Sequence, residues 1–155
     1  MAARSAGPDP SDIPVLLRAA RGAYGNVIAA RLAADGFDDL PRNGPFVLGG
    51  MAHHGGSAVE MIKGLGVTRQ AASQLVDMLV LRGYLSREVN GEDRRRMDLE
   101  LTERGRAAAD VVRAAVKKVD RQLTAMLSTR ELAGLRAGLA ALSTIRERSE
   151  SDRGR

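Results

Sequence analysis

Arg94, Arg95 and Arg96 stand side by side, just after an acidic pair, Glu92 and Asp93, and a turn-forming dipeptide, Asn90-Gly91. Like charges this close repel, so they need neighbouring acids or an anionic partner. A second set lies upstream. Arg69, Gln70, Ser73, Gln74 and Asp77 follow one another in i, i+4 steps (69 to 73, 70 to 74, 73 to 77), so they share one stripe of a helix. Such a stripe can read double-stranded nucleic acid. Arginine donates a bidentate pair to guanine, and glutamine does the same at adenine. Thr68 and Ser73 can bond phosphates or base edges, and a helix N-terminus itself favours a phosphate. An arginine at a hairpin tip gains from the negative potential of a narrow minor groove. Each set also has a plainer reading: a solvated helix face, and a turn of mutually neutralising charges. Their neighbourhood favours the first.

Other chemistry is scarce. The chain has 155 residues and no cysteine, which excludes disulfides, thiolate nucleophiles and cysteine-based redox sensing. There is no Gly-rich phosphate loop and no recognisable acid–base or metal constellation, so neither an enzyme nor a cofactor is expected. His53-His54 could be read as a metal pair, which would make a metal-responsive regulator. Adjacent helical residues point in different directions, however, and with only these two histidines a transition-metal site would need several carboxylates. The ordinary reading is two polar residues near a turn, with no metal. A net charge of +5 suits an anionic partner, although the same Arg, Ala and Gly bias follows from G+C-rich coding. No apolar run could span a bilayer, and the N-terminus lacks the apolar middle of a secretion signal, so no membrane association and a cytoplasmic location are expected.

The elements that must position these residues can be read from periodicity. Residues 1–11 show no period and read as a disordered arm. Leu16, Leu17, Ala20, Tyr24, Val27, Ile28 and Leu32 recur at helical spacing over about 13–33, with Asp12 and Pro14 at the start. A loop over 35–44 precedes a short helix over about 45–54, which Gly49 and Gly50 weaken. Ser57 with Glu60 is a capping box opening another short helix, ended by Gly64 and Gly66. Thr68 caps a longer helix from Arg69 to about Arg82, ended by Gly83. Its buried side would be Ala71, Ala72, Leu75, Val76, Met78 and Leu79. Tyr84–Val89 reads as a strand, and Met97, Leu99 and Leu101 alternate with polar residues in a second. Asn90-Gly91 signals the hairpin between them. A long helix follows to about Leu127, then a capping box of Ser128 and Glu131 and a last helix, fraying over 146–155. The fold class is therefore mainly α with a small β-hairpin, in the order helix, turn, helix, hairpin: a winged helix-turn-helix, whose second helix enters the major groove.

The segments VTRQAASQLVDMLVLRGYL (67–85) and EDRRRMDLELTERG (92–105) resemble the MarR family of bacterial transcription regulators. The second carries the pattern Asp93, Arg95, then an alternating strand ending in Leu101, Thr102 and Gly105. The resemblance implies one domain over 12–146, with a winged core at about 45–101, dimerisation helices at about 13–33 and 103–146, and a flexible tail at 147–155. It implies a DNA-binding repressor that is a homodimer on a pseudo-palindromic operator and is released by a small anionic or phenolic effector. Thr68, Arg69, Gln70, Ser73 and Gln74 take the recognition-helix positions. Arg95 takes the wing tip, braced by Asp93, with Arg94 and Arg96 at phosphates. Candidate pocket residues are Tyr24, Arg31, Met51, His53 and His54. The competing reading is a winged protein-interaction module that binds no DNA; the polar stripe and Arg95 argue against it, because folding does not demand them.

Overall fold

The helices and strands expected from periodicity form. The computed structural model describes residues 12–54, 57–89, 91 and 97–153. Helix α1 spans Ile13–Ala34, α2 Gly44–His54, α3 Ala58–Gly64 and α4 Arg69–Leu81. Strands β1 (Leu85–Val89) and β2 (Met97–Leu101) follow, then α5 (Glu103–Met126) and α6 (Thr129–Arg153). Helix α3, a tight turn, α4 and the antiparallel β1–β2 hairpin make the winged helix-turn-helix. The arm 1–11, Asn90, and the wing residues Asp93, Arg94, Arg95 and Arg96 lie outside the described residues.

The chain divides within α5 into two compact units, one ending at Lys117 and one beginning at Lys118. The first holds the core, in which Val47, Leu48, Leu79, Tyr84, Leu85, Ala108 and Ala109 are all but sealed from solvent. Burying one side chain of leucine size stabilises by ~1.5–3 kcal/mol, so α2, α4, β1 and the start of α5 are fixed by a few such residues. Gly49 and Gly50 do not interrupt α2. They let it pack closely. A Cβ at Gly49 would stand 3.2 Å from Val112 Cγ1, and one at Gly50 would run into the Met61 side chain.

Local chemistry sets the ends of the elements. Ser57 and Glu60 form both halves of their capping box, Glu60 N donating to Ser57 Oγ at 3.2 Å and Ser57 N to Glu60 Oε2 at 3.0 Å. Helix α4 stops in a Schellman pair: Tyr84 N donates to Leu79 O at 2.9 Å and Gly83 N to Val80 O at 2.9 Å, with Gly83 at φ +72°. That closure takes Tyr84 out of the strand, which begins one residue later than expected. Asp12 precedes α1, but its side chain makes no cap bond, because its own backbone is already helical.

In the second unit, Ser128 and Glu131 form the other capping box, with Ser128 N donating to Glu131 Oε2 at 2.8 Å. The Ser128 hydroxyl and N–H hold the Glu131 carboxyl below its ordinary pKa. Helix α6 then runs on to Arg153, through the residues 146–153 expected to fray. Its serines are turned inward on their own helix, Ser149 Oγ donating to Ile145 O and Ser151 Oγ to Glu147 O. Polar composition there did not mean an unpaired backbone. Leu135, Leu139, Leu142 and Ile145 along α6 are left exposed, and so are Ile13, Val15, Leu16 and Leu17 on α1.

Candidate nucleic-acid interface

Thr68 starts the polar stripe. Its extended backbone (φ −64°, ψ 158°) lets Oγ1 accept from Ala71 N at 3.2 Å, so the hydroxyl caps α4. Arg69, Gln70, Ser73, Gln74 and Asp77 are all exposed, on a helix whose opposite side carries the buried Leu75 and Leu79. The structure thus brings the five predicted recognition residues onto one solvent-facing surface at the helix's N-terminal half. Met78 departs from expectation: at 37% exposure it is not core.

The hairpin stands directly after this helix. Its register pairs Leu85 with Leu101, Arg87 with Leu99 and Val89 with Met97. The chain joining the strands contains Asp93, Arg94, Arg95 and Arg96, so the wing assignments rest on sequence. Arg87, which sequence reasoning passed over, pairs its Nη2 with Asp77 Oδ1 of α4 at 2.5 Å.

A second cluster went unread. Asp39, in the α1–α2 loop, accepts from the Tyr84 hydroxyl through Oδ1, and its carbonyl accepts from Arg82. Arg104 Nη2 donates to the same Oδ1 at 2.9 Å and its Nη1 to Arg82 O at 2.7 Å, with the guanidinium 4.5 Å from the Tyr84 ring centroid. The Tyr84 hydroxyl, and after it the charges of Arg104 and Arg82, hold the Asp39 carboxyl below its ordinary pKa against the opposing cost of burial. Burial, followed by the Asp39 hydrogen bond and charge, pushes the Tyr84 phenol up to about 12. One carboxylate therefore fastens the α1–α2 loop to the end of α4 and the start of α5. No short spacing announces it, since Asp39 lies 43 to 65 residues from its partners.

The Leu-Thr-x-x-Gly signature explains itself here. Thr102 Oγ1 donates to Gly83 O at 2.6 Å and accepts from Gly105 N at 2.9 Å, capping α5 on the turn that ends α4. Gly105 is required because a Cβ there would collide with the Tyr84 carbonyl oxygen.

The five candidate pocket residues are not gathered into one described cavity. Met51 is packed in the core. Arg31 is exposed and pairs with Asp35 at 2.9 Å, Tyr24 is half-buried on α1, and His53 is exposed at the end of α2. The side chain of His54 lies outside the described residues. A shallow cavity of about 150 Å³ opens elsewhere, between Pro41, Arg42 and Asn43 of the α1–α2 loop, Val67 of the turn, and Ala71, Gln74, Leu75 and Met78 of α4. Among the described residues no group of three or more His, Cys, Asp or Glu could hold a metal ion, and no helix is long and apolar enough to cross a membrane.

A MarR family model matches residues 39–96. No curated protein matches the chain. Among solved structures, the chain is similar to Streptococcus pneumoniae FabT in complex with DNA, at 21% identity over 90% of this chain and 98% of that one, with a TM-score of 0.73. It is similar to the S. aureus MepR–DNA complex at 20% identity, 89% and 98% coverage and a TM-score of 0.68. The apo form of E. coli MarR gives 23% identity, 88% and 98% coverage and a TM-score of 0.59. At these identities the likeness to each solved structure is one of fold.

Proposed function

We propose that this winged-helix chain, whose residues 39–96 match a MarR family model, is a sequence-specific repressor that binds an inverted repeat in double-stranded DNA as a homodimer. The observation that carries this reading is the capped, solvent-facing stripe of Thr68, Arg69, Gln70, Ser73 and Gln74, followed at once by a hairpin whose connecting chain holds Arg94, Arg95 and Arg96. The stripe reads base edges in the major groove. Arg95, braced by Asp93, enters the neighbouring minor groove, while Arg94 and Arg96 meet phosphates. The likeness to two DNA-bound regulators supports the same docking.

A lone recognition helix and wing bury too little for tight specific binding. The exposed leucines of α6 and the exposed apolar residues of α1 support a second copy as their cover. Two recognition helices then meet half-sites about one helical turn, ~34 Å, apart.

A small anionic or phenolic effector would find a seat in the cavity beside α4. At about 150 Å³ this shallow, partly open cleft is of the size of a benzene-sized ring. Arg42 and Asn43 at its edge suit an anion or hydroxyl, and Gln74 is shared with the DNA-reading stripe. A ligand there would disturb recognition directly. Tyr24, Arg31, Met51, His53 and His54, the pocket residues expected from sequence, are not among those that line it.

The test is a titration of an enriched duplex with wild type, Gln74→Ala and Arg95→Ala. Each substitution is expected to weaken specific binding about tenfold or more, at ~1–3 kcal/mol per base contact, with thermal unfolding unchanged. Affinity untouched by both changes would leave a winged module serving another partner.

A further inference from the structure

We propose that Arg87 is a positioning residue for DNA recognition: it neutralises Asp77 on the DNA-reading stripe and ties the wing strand to the recognition helix. The inference rests on the DNA-binding reading above. Asp77 is the one acid on a stripe that otherwise presents Arg69, Gln70, Ser73 and Gln74. Uncompensated, its carboxylate would face a phosphate backbone of the same sign. The structure compensates it from outside the helix, through Arg87 Nη2 at 2.5 Å.

The alternation of the hairpin shows why Arg87 goes there. Ser86 pairs with Glu100 and Glu88 with Asp98, so the acids of the hairpin share one face. Arg87 stands on the other, with Leu85 beside it along the strand and Leu99 opposite. That face has no acid of its own, and Leu85 at its inner end is buried in the core. Its cation therefore reaches across to α4. Of the four described ion pairs, two lie within single stretches of helix or its cap, Arg31–Asp35 and Asp110–Arg113, and one belongs to the Asp39 cluster. The Arg87–Asp77 pair is the one that joins the recognition helix to the hairpin. Both side chains stay about half-exposed, so the pair contributes little to folding. Its effect falls on where the wing points and on the charge that DNA meets.

The experiment is a double-mutant cycle read by DNA affinity. The probe is the duplex that wild-type protein enriches most from a random-sequence duplex library. Four proteins are compared over a series of salt concentrations: wild type, Arg87→Ala, Asp77→Ala and the double variant. Arg87→Ala is expected to weaken binding about tenfold, the scale of one uncompensated charge near a phosphate. In the Asp77→Ala background the same change should cost less than about threefold, because there is nothing left to neutralise. The loss should shrink as salt rises, because it is a screened repulsion, and should do so only where Asp77 is present; melting temperatures should coincide. If Arg87 instead touches a phosphate itself, its loss costs the same with or without Asp77 and lowers the slope by about one contact. That result overturns the inference and leaves the DNA-binding reading intact. A wild type that enriches no duplex overturns both.

Discussion

Replacing Tyr84 by Phe removes one hydroxyl and leaves the ring in place. In the folded chain that hydroxyl donates to Asp39, and Tyr84 is fully buried. A hydrogen bond to a charged acceptor contributes ~1.5–3 kcal/mol; Asp39 is partly open to water, so a loss of about 1–2 kcal/mol is expected at neutral pH. The pH dependence is more diagnostic. Burial first, then Asp39, raises the phenol from 10.0 to about 12 in the folded state. A raised pKa favours the protonated, folded form, so the stabilisation is whole below the unfolded value near 10 and is lost as pH rises through about 12. Wild type should therefore lose stability at alkaline pH through this group, and Tyr84→Phe should not. Between about pH 9 and pH 11 the gap between the two should narrow by roughly 1 kcal/mol, since a tenfold difference in proton affinity between the folded and unfolded states is worth ~1.4 kcal/mol. At the acid end the sign is opposite. Asp39 is held low, so its contribution is present above its unfolded pKa of 3.8 and is lost as pH falls through the lower folded value; without the Tyr84 hydroxyl that limb shrinks. Urea denaturation of both proteins across this range is the assay. A gap that stays constant from neutral to alkaline pH would refute the linkage between Tyr84 and Asp39.

Gly105→Ala should destabilise by about 2–3 kcal/mol in denaturant unfolding, because the new methyl meets the Tyr84 carbonyl and backbone must move. Gly64→Ala, where the added Cβ would meet no atom within 4 Å and the backbone is helical, should instead stabilise by about 0.5–1 kcal/mol. Leu139→Glu on the exposed face of α6 should convert a dimer to a folded monomer, read by light scattering with circular dichroism unchanged. A dimer that survives it would remove α6 from the interface. Specific DNA affinity should fall steeply with salt, by roughly one power of salt for each phosphate contacted.

The sequence spoke plainly wherever chemistry is local. Helical and alternating periods located the eight elements of the described residues, and the capping residues Ser57, Thr68 and Ser128 marked their helix starts. The exposed polar stripe of α4 was legible for the same reason: i, i+4 spacing fixes which residues share a face. What depends on contact across the fold was not legible. Gly49 and Gly50 looked like weak points in α2, and their packing partners, Val112 and Met61, explain them only once α5 and α3 are in place. Asp39 looked like one loop acid among several until Tyr84 and Arg104 closed around it. Arg87 carried no motif at all, and its role follows from strand register. The effector candidates came from the family resemblance, and a single chain places Met51 in the core and leaves Arg31 and His53 exposed.

The central claim is that this chain reads a DNA sequence with α4 and the wing. The most direct test is selection of fragments from the source genome by purified wild-type protein and by Arg95→Ala, in moderate salt. The account predicts that wild type enriches an inverted repeat with half-sites about one helical turn, ~34 Å, apart, and that the variant loses or blurs it while folding as before. Equal enrichment by both proteins would contradict the wing assignment, and enrichment of no sequence by the wild type would contradict the claim itself.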